Sequence, residues 1–75
     1  MVRLPRVSGQ QAIRALEKLG FSVVRQRGSH VILKKDTPEG ALGCAVPLHK
    51  ELALGTLHGI LRQARVAPDE FLEKL

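Results

Sequence analysis

The sequence predicts an α+β domain: a three-stranded antiparallel sheet with helices on one face, in the order α-β-β-β-α, plus a short helix at the end. Three observations carry this. Apolar residues repeat at helical spacing in two separate stretches, one within residues 12–19 and one within residues 57–64. Between them lie three short runs of strand-forming residues, set off by glycine and proline. Those runs follow one another so closely that an antiparallel meander is the economical connection. At 75 residues the chain reads as one domain, 1–75. A core of that size is marginal alone, which leaves room for a partner or a weak homo-oligomer.

Each element has a local cause. Residues 1–7, "MVRLPRV", form a lead-in where Pro5 blocks an early helix. Ser8 and Gln11 have capping-box spacing, Ala12, Ile13, Leu16 and Leu19 form one stripe, and Gly20 ends the first helix. "FSVVRQ", residues 21–26, reads as the first strand. Gly28 supplies a turn, and "SHVILKK", residues 29–35, is the second strand of a hairpin. "DTPEGA", residues 36–41, reads as a loop, and "LGCAVP", residues 42–47, as a third strand closed by Pro47. After an irregular stretch, Thr56 is the expected cap of a second helix whose stripe is Leu57, Ile60, Leu61 and Ala64. Pro68, followed by Asp69 and Glu70, opens the last helix, with Phe71, Leu72 and Leu75 as its apolar residues.

Charge is unevenly placed. Residues 1–35 hold eight Lys/Arg against one acid, Glu17; residues 36–75 hold four against six. A polyanion is therefore drawn to the N-terminal half. The only aromatic rings of the Phe/Tyr/Trp type are Phe21 and Phe71, which argues against recognition by stacking unpaired bases. The single cysteine, Cys44, has no intramolecular disulfide partner, as in a reducing cytoplasm, and reads as a small buried residue. No apolar run approaches the roughly 18 residues of a membrane span, and no secretory core follows Met1. The expectation is a soluble, cytoplasmic protein with no membrane role.

The stretch "RQRGSHVILKK", Arg25 to Lys35, holds the chemistry. Val31 and Leu33 share one side of their strand; His30, Ile32 and Lys34 share the other. The helices have the better claim on the Val31/Leu33 side, which puts His30 on the open face beside Lys34. There an imidazole is either an ordinary strand residue or a proton-transfer group that works near neutral pH. Arg25, Arg27, Lys34 and Lys35 flank it and suit a phosphate-bearing polymer. Gly28 lets a phosphate approach the backbone, and Ser29 offers a hydroxyl. His49, in the loop after the third strand, is either a second acid/base or phosphate contact or a solvated loop residue. His58 reads as a surface helix residue. Cys44, His30, His49 and His58 lack the close pairwise spacing of zinc ligands, so no metal and no cofactor is expected. No phosphate-loop or dinucleotide glycine fingerprint is present.

Across nearly its whole length the chain resembles the HicA family, the small bacterial and archaeal mRNA interferase toxins of HicA–HicB toxin–antitoxin pairs. The pieces that carry the resemblance are G-S-H after a basic strand (Gly28, Ser29, His30), P-x-H after the third strand (Pro47, His49), and G-T (Gly55, Thr56) opening an I-L-R-Q-A helix. The resemblance implies a fold like that of double-stranded-RNA-binding domains. It also implies metal-independent endoribonuclease activity on mRNA through His30, a role for Gly28, and a HicB-type antitoxin that covers the site. Many relatives carry an aromatic or a second histidine soon after G-S-H, where this chain has Val31, Ile32 and Leu33. The leaving-group acid is open between His49, Ser29, a lysine and water. The competing readings are a non-catalytic RNA-binding module and a degenerate subunit kept for its protein partner.

Overall fold

A computed structural model describes residues 3–75; Met1 and Val2 of the expected lead-in lie outside the described residues. Its elements are α1 (Gly9–Lys18), β1 (Ser22–Arg27), β2 (His30–Thr37), β3 (Gly40–Pro47), α2 (Leu54–Ala64) and α3 (Pro68–Glu73). The sheet is antiparallel in the order β1-β2-β3. This is the α-β-β-β-α arrangement with a C-terminal helix that the sequence predicts.

The start of α1 is fixed twice over. The Gln11 amide donates to the Ser8 hydroxyl at 3.0 Å, and the Ser8 amide donates to the Gln11 side chain at 2.8 Å. Two orphan helix amides are thereby satisfied. Gly9 then passes so close to the end of β3 that a Cβ on it would stand 2.1 Å from the Pro47 carbonyl oxygen. Its amide donates to the His49 carbonyl at 2.9 Å. Ala12, Ala15 and Leu16 carry the buried stripe, while Ile13 and Leu19 are only partly covered. Gly20 ends the helix at φ 102°, a conformation that costs glycine least.

Residues 36–41 depart from the expected loop. β2 continues through Asp36 and Thr37, which pair with Ala41 and Gly40, and only Pro38 and Glu39 remain to turn the chain. Pro38 and Gly40 thus mark a tight turn rather than an irregular segment. Gly40 sits at φ 126°, and the Thr37 hydroxyl donates to the Gly40 carbonyl.

Thr56 does not cap α2. The helix begins three residues earlier than such a cap would set it, with Ala53 as its cap residue and no side-chain cap bond. What starts it there is packing: Leu52 is buried just before it and donates its amide to the Val7 carbonyl at 2.7 Å. The expected stripe of Leu57, Ile60, Leu61 and Ala64 is buried, and α2 packs mainly on β3. Pro68 opens α3, where the Glu70 carboxylate accepts the Ala67 amide at 3.1 Å. Phe71 is fully buried. The core runs from Leu16, Leu33 and Val46 through Leu52 and Leu57 to Phe71, and it contains no buried polar side chain among the described residues.

Candidate functional site

Strand alternation separates β2 into two faces. Val31 and Leu33 are buried under the helices, whereas His30 and Lys34 are exposed and Ile32 is half-buried on the other side. On β1 the cross-strand partner of His30 is Arg27, and that of Ile32 is Arg25. Directly opposed residues share a face, with Cβ atoms about 5 Å apart. The register slips between Val23 and Arg25, so Val24 is an extra residue in β1. This bulge puts Val23 opposite Leu33, on the face away from both arginines, although Val23 stays exposed at the edge of the sheet.

On the third strand the partners of His30, Ile32 and Lys34 are Pro47, Ala45 and Gly43. None of these bears a long side chain, so the open face is a cationic ridge on β1 and β2 beside a low floor on β3. A depression of about 380 Å³ lies on the ridge, lined by Val24, Arg25, Arg27, Ile32 and Lys34. Three cations and no acid line it. His30 stands outside this hollow, beside Arg27. His30 is exposed, and its imidazole makes no hydrogen bond to the described residues, so no carboxylate orients the ring.

The turn that delivers His30 is tied down from both sides. Gly28 takes φ 57°, and nothing lies within 4 Å of where its Cβ would be. Its requirement is conformational, not steric. The Gln26 side-chain amide donates to the Gly28 carbonyl at 2.9 Å, and the Leu48 amide donates to the Ser29 carbonyl at 2.7 Å. That second bond brings the loop bearing His49 alongside the turn. His49 itself is exposed and lines a different concavity, of about 280 Å³, with Ser8, Gln10, Leu48 and Lys50. Arg25, Arg27, Gly28, Ser29, His30 and Lys34 are therefore brought together, and His49 adjoins them.

Lys35 is not part of this group. It points to the covered side of the sheet, where its ammonium lies 5.8 Å from the centre of the Phe21 ring. That is cation–π distance, and it explains why a lysine is tolerated beside the core. One residue matters here that the sequence reading put in a loop: Asp36 is exposed and follows His30, Ile32 and Lys34 on the same face. Period-two counting from Lys34 finds it once the strand is known to continue.

Cys44 is buried opposite Leu33, and desolvation pushes its thiol up to about 11. It stays a neutral thiol near pH 7 and is a core residue, not a nucleophile. Among the described residues, no group of three His, Cys, Asp or Glu side chains is placed to hold a metal ion. No described helix is long and apolar enough to cross a membrane.

Fold and site together define a small α+β domain that displays one histidine on the basic, uncovered face of its sheet. The chain belongs to the HicA toxin family: the family model described as the HicA toxin of bacterial toxin–antitoxin systems matches residues 9–66 of 75. It is thus the toxin side of a toxin–antitoxin pairing, and its protein partner is an antitoxin. The match spans α1, the whole sheet and α2, and so includes every residue of the open face. A comparison with curated proteins finds no match.

Proposed function

We propose that the chain is a metal-independent endoribonuclease that cuts messenger RNA in the cytoplasm, with His30 as its proton-transfer group. The observation that carries this reading is the exposure of His30 directly across from Arg27, at the edge of a hollow lined only by cations on its charged side. His30 takes the proton of a ribose 2′-hydroxyl, and the oxygen attacks the adjacent phosphorus. The bond from phosphorus to the 5′-oxygen breaks, leaving a 2′,3′-cyclic phosphate and a 5′-hydroxyl. Water, which reaches this open face freely, returns a proton to the leaving oxygen. Arg27 is placed to stabilise the extra charge on the phosphorane-like transition state. Ser29 and the Gly28 backbone, in the turn before His30, offer a hydroxyl and an amide to a phosphate oxygen, and His49 and the neighbouring loop contact the RNA beyond them. A HicB-type antitoxin restrains the enzyme by covering this face.

The test is His30→Ala. Losing a positioned acid/base group should slow cleavage of a labelled transcript by about 10² to 10⁴-fold. The melting temperature should barely move, because the side chain is exposed. A folded His30→Ala protein that cuts at the wild-type rate sinks the proposal. Intact transcript bound tightly by the wild type supports the non-catalytic binding module instead.

A further inference from the structure

We infer that Arg25 and Lys34 form a separate phosphate subsite, one nucleotide away from the cleavage point, and that Asp36 ends the phosphate track beyond it. The inference rests on the nuclease reading for where cleavage occurs. Along β2 the open face presents His30, Ile32, Lys34 and Asp36 in turn. Alternate strand residues are spaced about 6.8 Å apart. His30 faces Arg27, so the scissile phosphate belongs at that end. Arg25 faces Ile32, the next position along, and Lys34 follows. Both line the depression that His30 does not, and Arg27 borders it on the side nearest His30. Ile32 is the half-buried apolar residue on the strand between them, and no carboxylate lines the depression with them.

The track has a definite end. Asp36 is exposed on the same face, with Ala41 as its partner, and Glu39 lies in the turn just after it. The Asp36 carboxylate repels a further phosphate there, whereas Glu39 lines a neighbouring concavity with Arg65. No ion pair to Asp36 or Glu39 occupies Lys34, since the ion pair among the described residues joins Arg6 and Glu51. At the opposite end, beyond His30, come Ser29 and the loop with His49 and Lys50, whose acid, Glu51, is held by Arg6. The face thus distinguishes the two directions of the RNA strand. It grips one flanking phosphate at Arg25 and Lys34 and rejects the one after it.

The experiment uses short oligoribonucleotides: a dinucleotide with only the scissile phosphate, and versions lengthened by one and by two nucleotides on either the 5′ or the 3′ side. KM and kcat are measured for wild type, Arg25→Ala, Lys34→Ala and Asp36→Asn. Binding is measured in parallel with 2′-deoxy analogues that cannot be cut. On one side, the first added phosphate should lower KM and the analogue's Kd by about tenfold, the size of one charge-assisted contact, with kcat little changed. The second should add less than twofold. In Arg25→Ala and Lys34→Ala the dinucleotide-to-trinucleotide ratio should collapse towards one, whatever the rate on the dinucleotide. Asp36→Asn should make the second phosphate worth several-fold. Each lysine or arginine removed should also make the salt dependence of trinucleotide binding shallower, by about 0.7 in the log–log slope.

Equal KM for all lengths in the wild type, or a gain that survives both alanine variants, overturns the subsite while leaving cleavage at His30 intact. A length gain in analogue binding with no cleavage of any substrate by the wild type does the reverse. The subsite then stands as a phosphate-binding feature and the nuclease reading falls.

Discussion

The two faces of β2 come from alternate residues of one strand, yet they are built under different constraints. The covered face, Val31 and Leu33, meets Cys44 and Val46 on β3 and closes against the helices without a single buried polar side chain. The open face, His30, Ile32 and Lys34, has long or titratable groups on one side and small residues on the other, and among the described residues none of its charged side chains is in an ion pair. Stability therefore resides on one side and the proposed chemistry on the other, one residue apart. A small domain can carry an exposed histidine on a firm strand because that strand is anchored by the histidine's immediate neighbours.

The sharpest way to break that division is to compare His30→Ala with Leu33→Ala. Leu33 is fully buried in the centre of the sheet. Its truncation removes apolar burial and leaves a cavity, a loss of about 2 to 5 kcal/mol. A 75-residue domain has roughly 4 to 11 kcal/mol in total, so Leu33→Ala should be partly unfolded or melt far lower. His30→Ala should show the opposite pattern, with activity gone and thermal unfolding unchanged. Equal loss of melting temperature in both variants would mean the two faces are not independent.

Alkali should weaken the covered face selectively. The Cys44 thiol is raised by burial from 9.0 to about 11. Below about pH 9 folded and unfolded chains both keep the proton. Between 9 and 11 the unfolded chain releases it while the folded chain does not, so stability falls as pH rises. Two pKa units correspond to about 2 to 3 kcal/mol. Denaturant midpoints taken from pH 8 to 11 should show this slope in the wild type, and Cys44→Ala should flatten it. An unchanged slope in Cys44→Ala would assign the alkaline loss to another group.

The turn between the faces gives a smaller effect with a clear chemical signature. Gly28 lies in the left-handed region at φ 57°, with open space where a Cβ would go. Gly28→Ala should cost about 1 to 2 kcal/mol and disturb the delivery of His30. Asparagine adopts this conformation more readily, so Gly28→Asn should recover most of the stability. Cleavage rates for the two variants then separate backbone conformation from close approach of phosphate. If Gly28→Asn is stable but inactive, the space above the turn is needed by substrate.

Much of this division is legible in the sequence, for a physical reason. Period-two alternation in "SHVILKK" assigns His30 and Lys34 to the side opposite Val31 and Leu33, and the amphipathic helices settle which side is covered. The capping box at Ser8 and the left-handed Gly20 are local, and local chemistry determines them. What escaped the sequence reading depends on distant partners. The bulge at Val24 depends on which valine meets Leu33 across the hairpin. The strand character of Asp36 and Thr37 depends on pairing with β3, since their own propensity favours a loop. Lys35 looked like another phosphate contact until Phe21 was placed beneath it. Gly9 gave no sign of its steric role, which exists only because the end of β3 arrives against it.

The start of α2 was misplaced for the same kind of reason, and it offers the mildest test of the division. Thr56 is the better capping residue by type, but the burial of Leu52 sets the helix to begin after Ala53. Ala53 is exposed, extended at φ −61° and ψ 143°, and has no side-chain oxygen for the free amides of the first turn. Ala53→Ser supplies one and should stabilise the domain by about 1 kcal/mol. For a domain under 100 residues this amounts to a rise of about 4 to 8 °C in melting temperature. The substitution touches neither face of β2. Cleavage per folded molecule should therefore stay at the wild-type value at temperatures where both proteins are fully folded. A rise in melting temperature accompanied by a several-fold change in rate would show that the open face responds to the scaffold beneath it, and that alternation along β2 does not insulate His30 from the core.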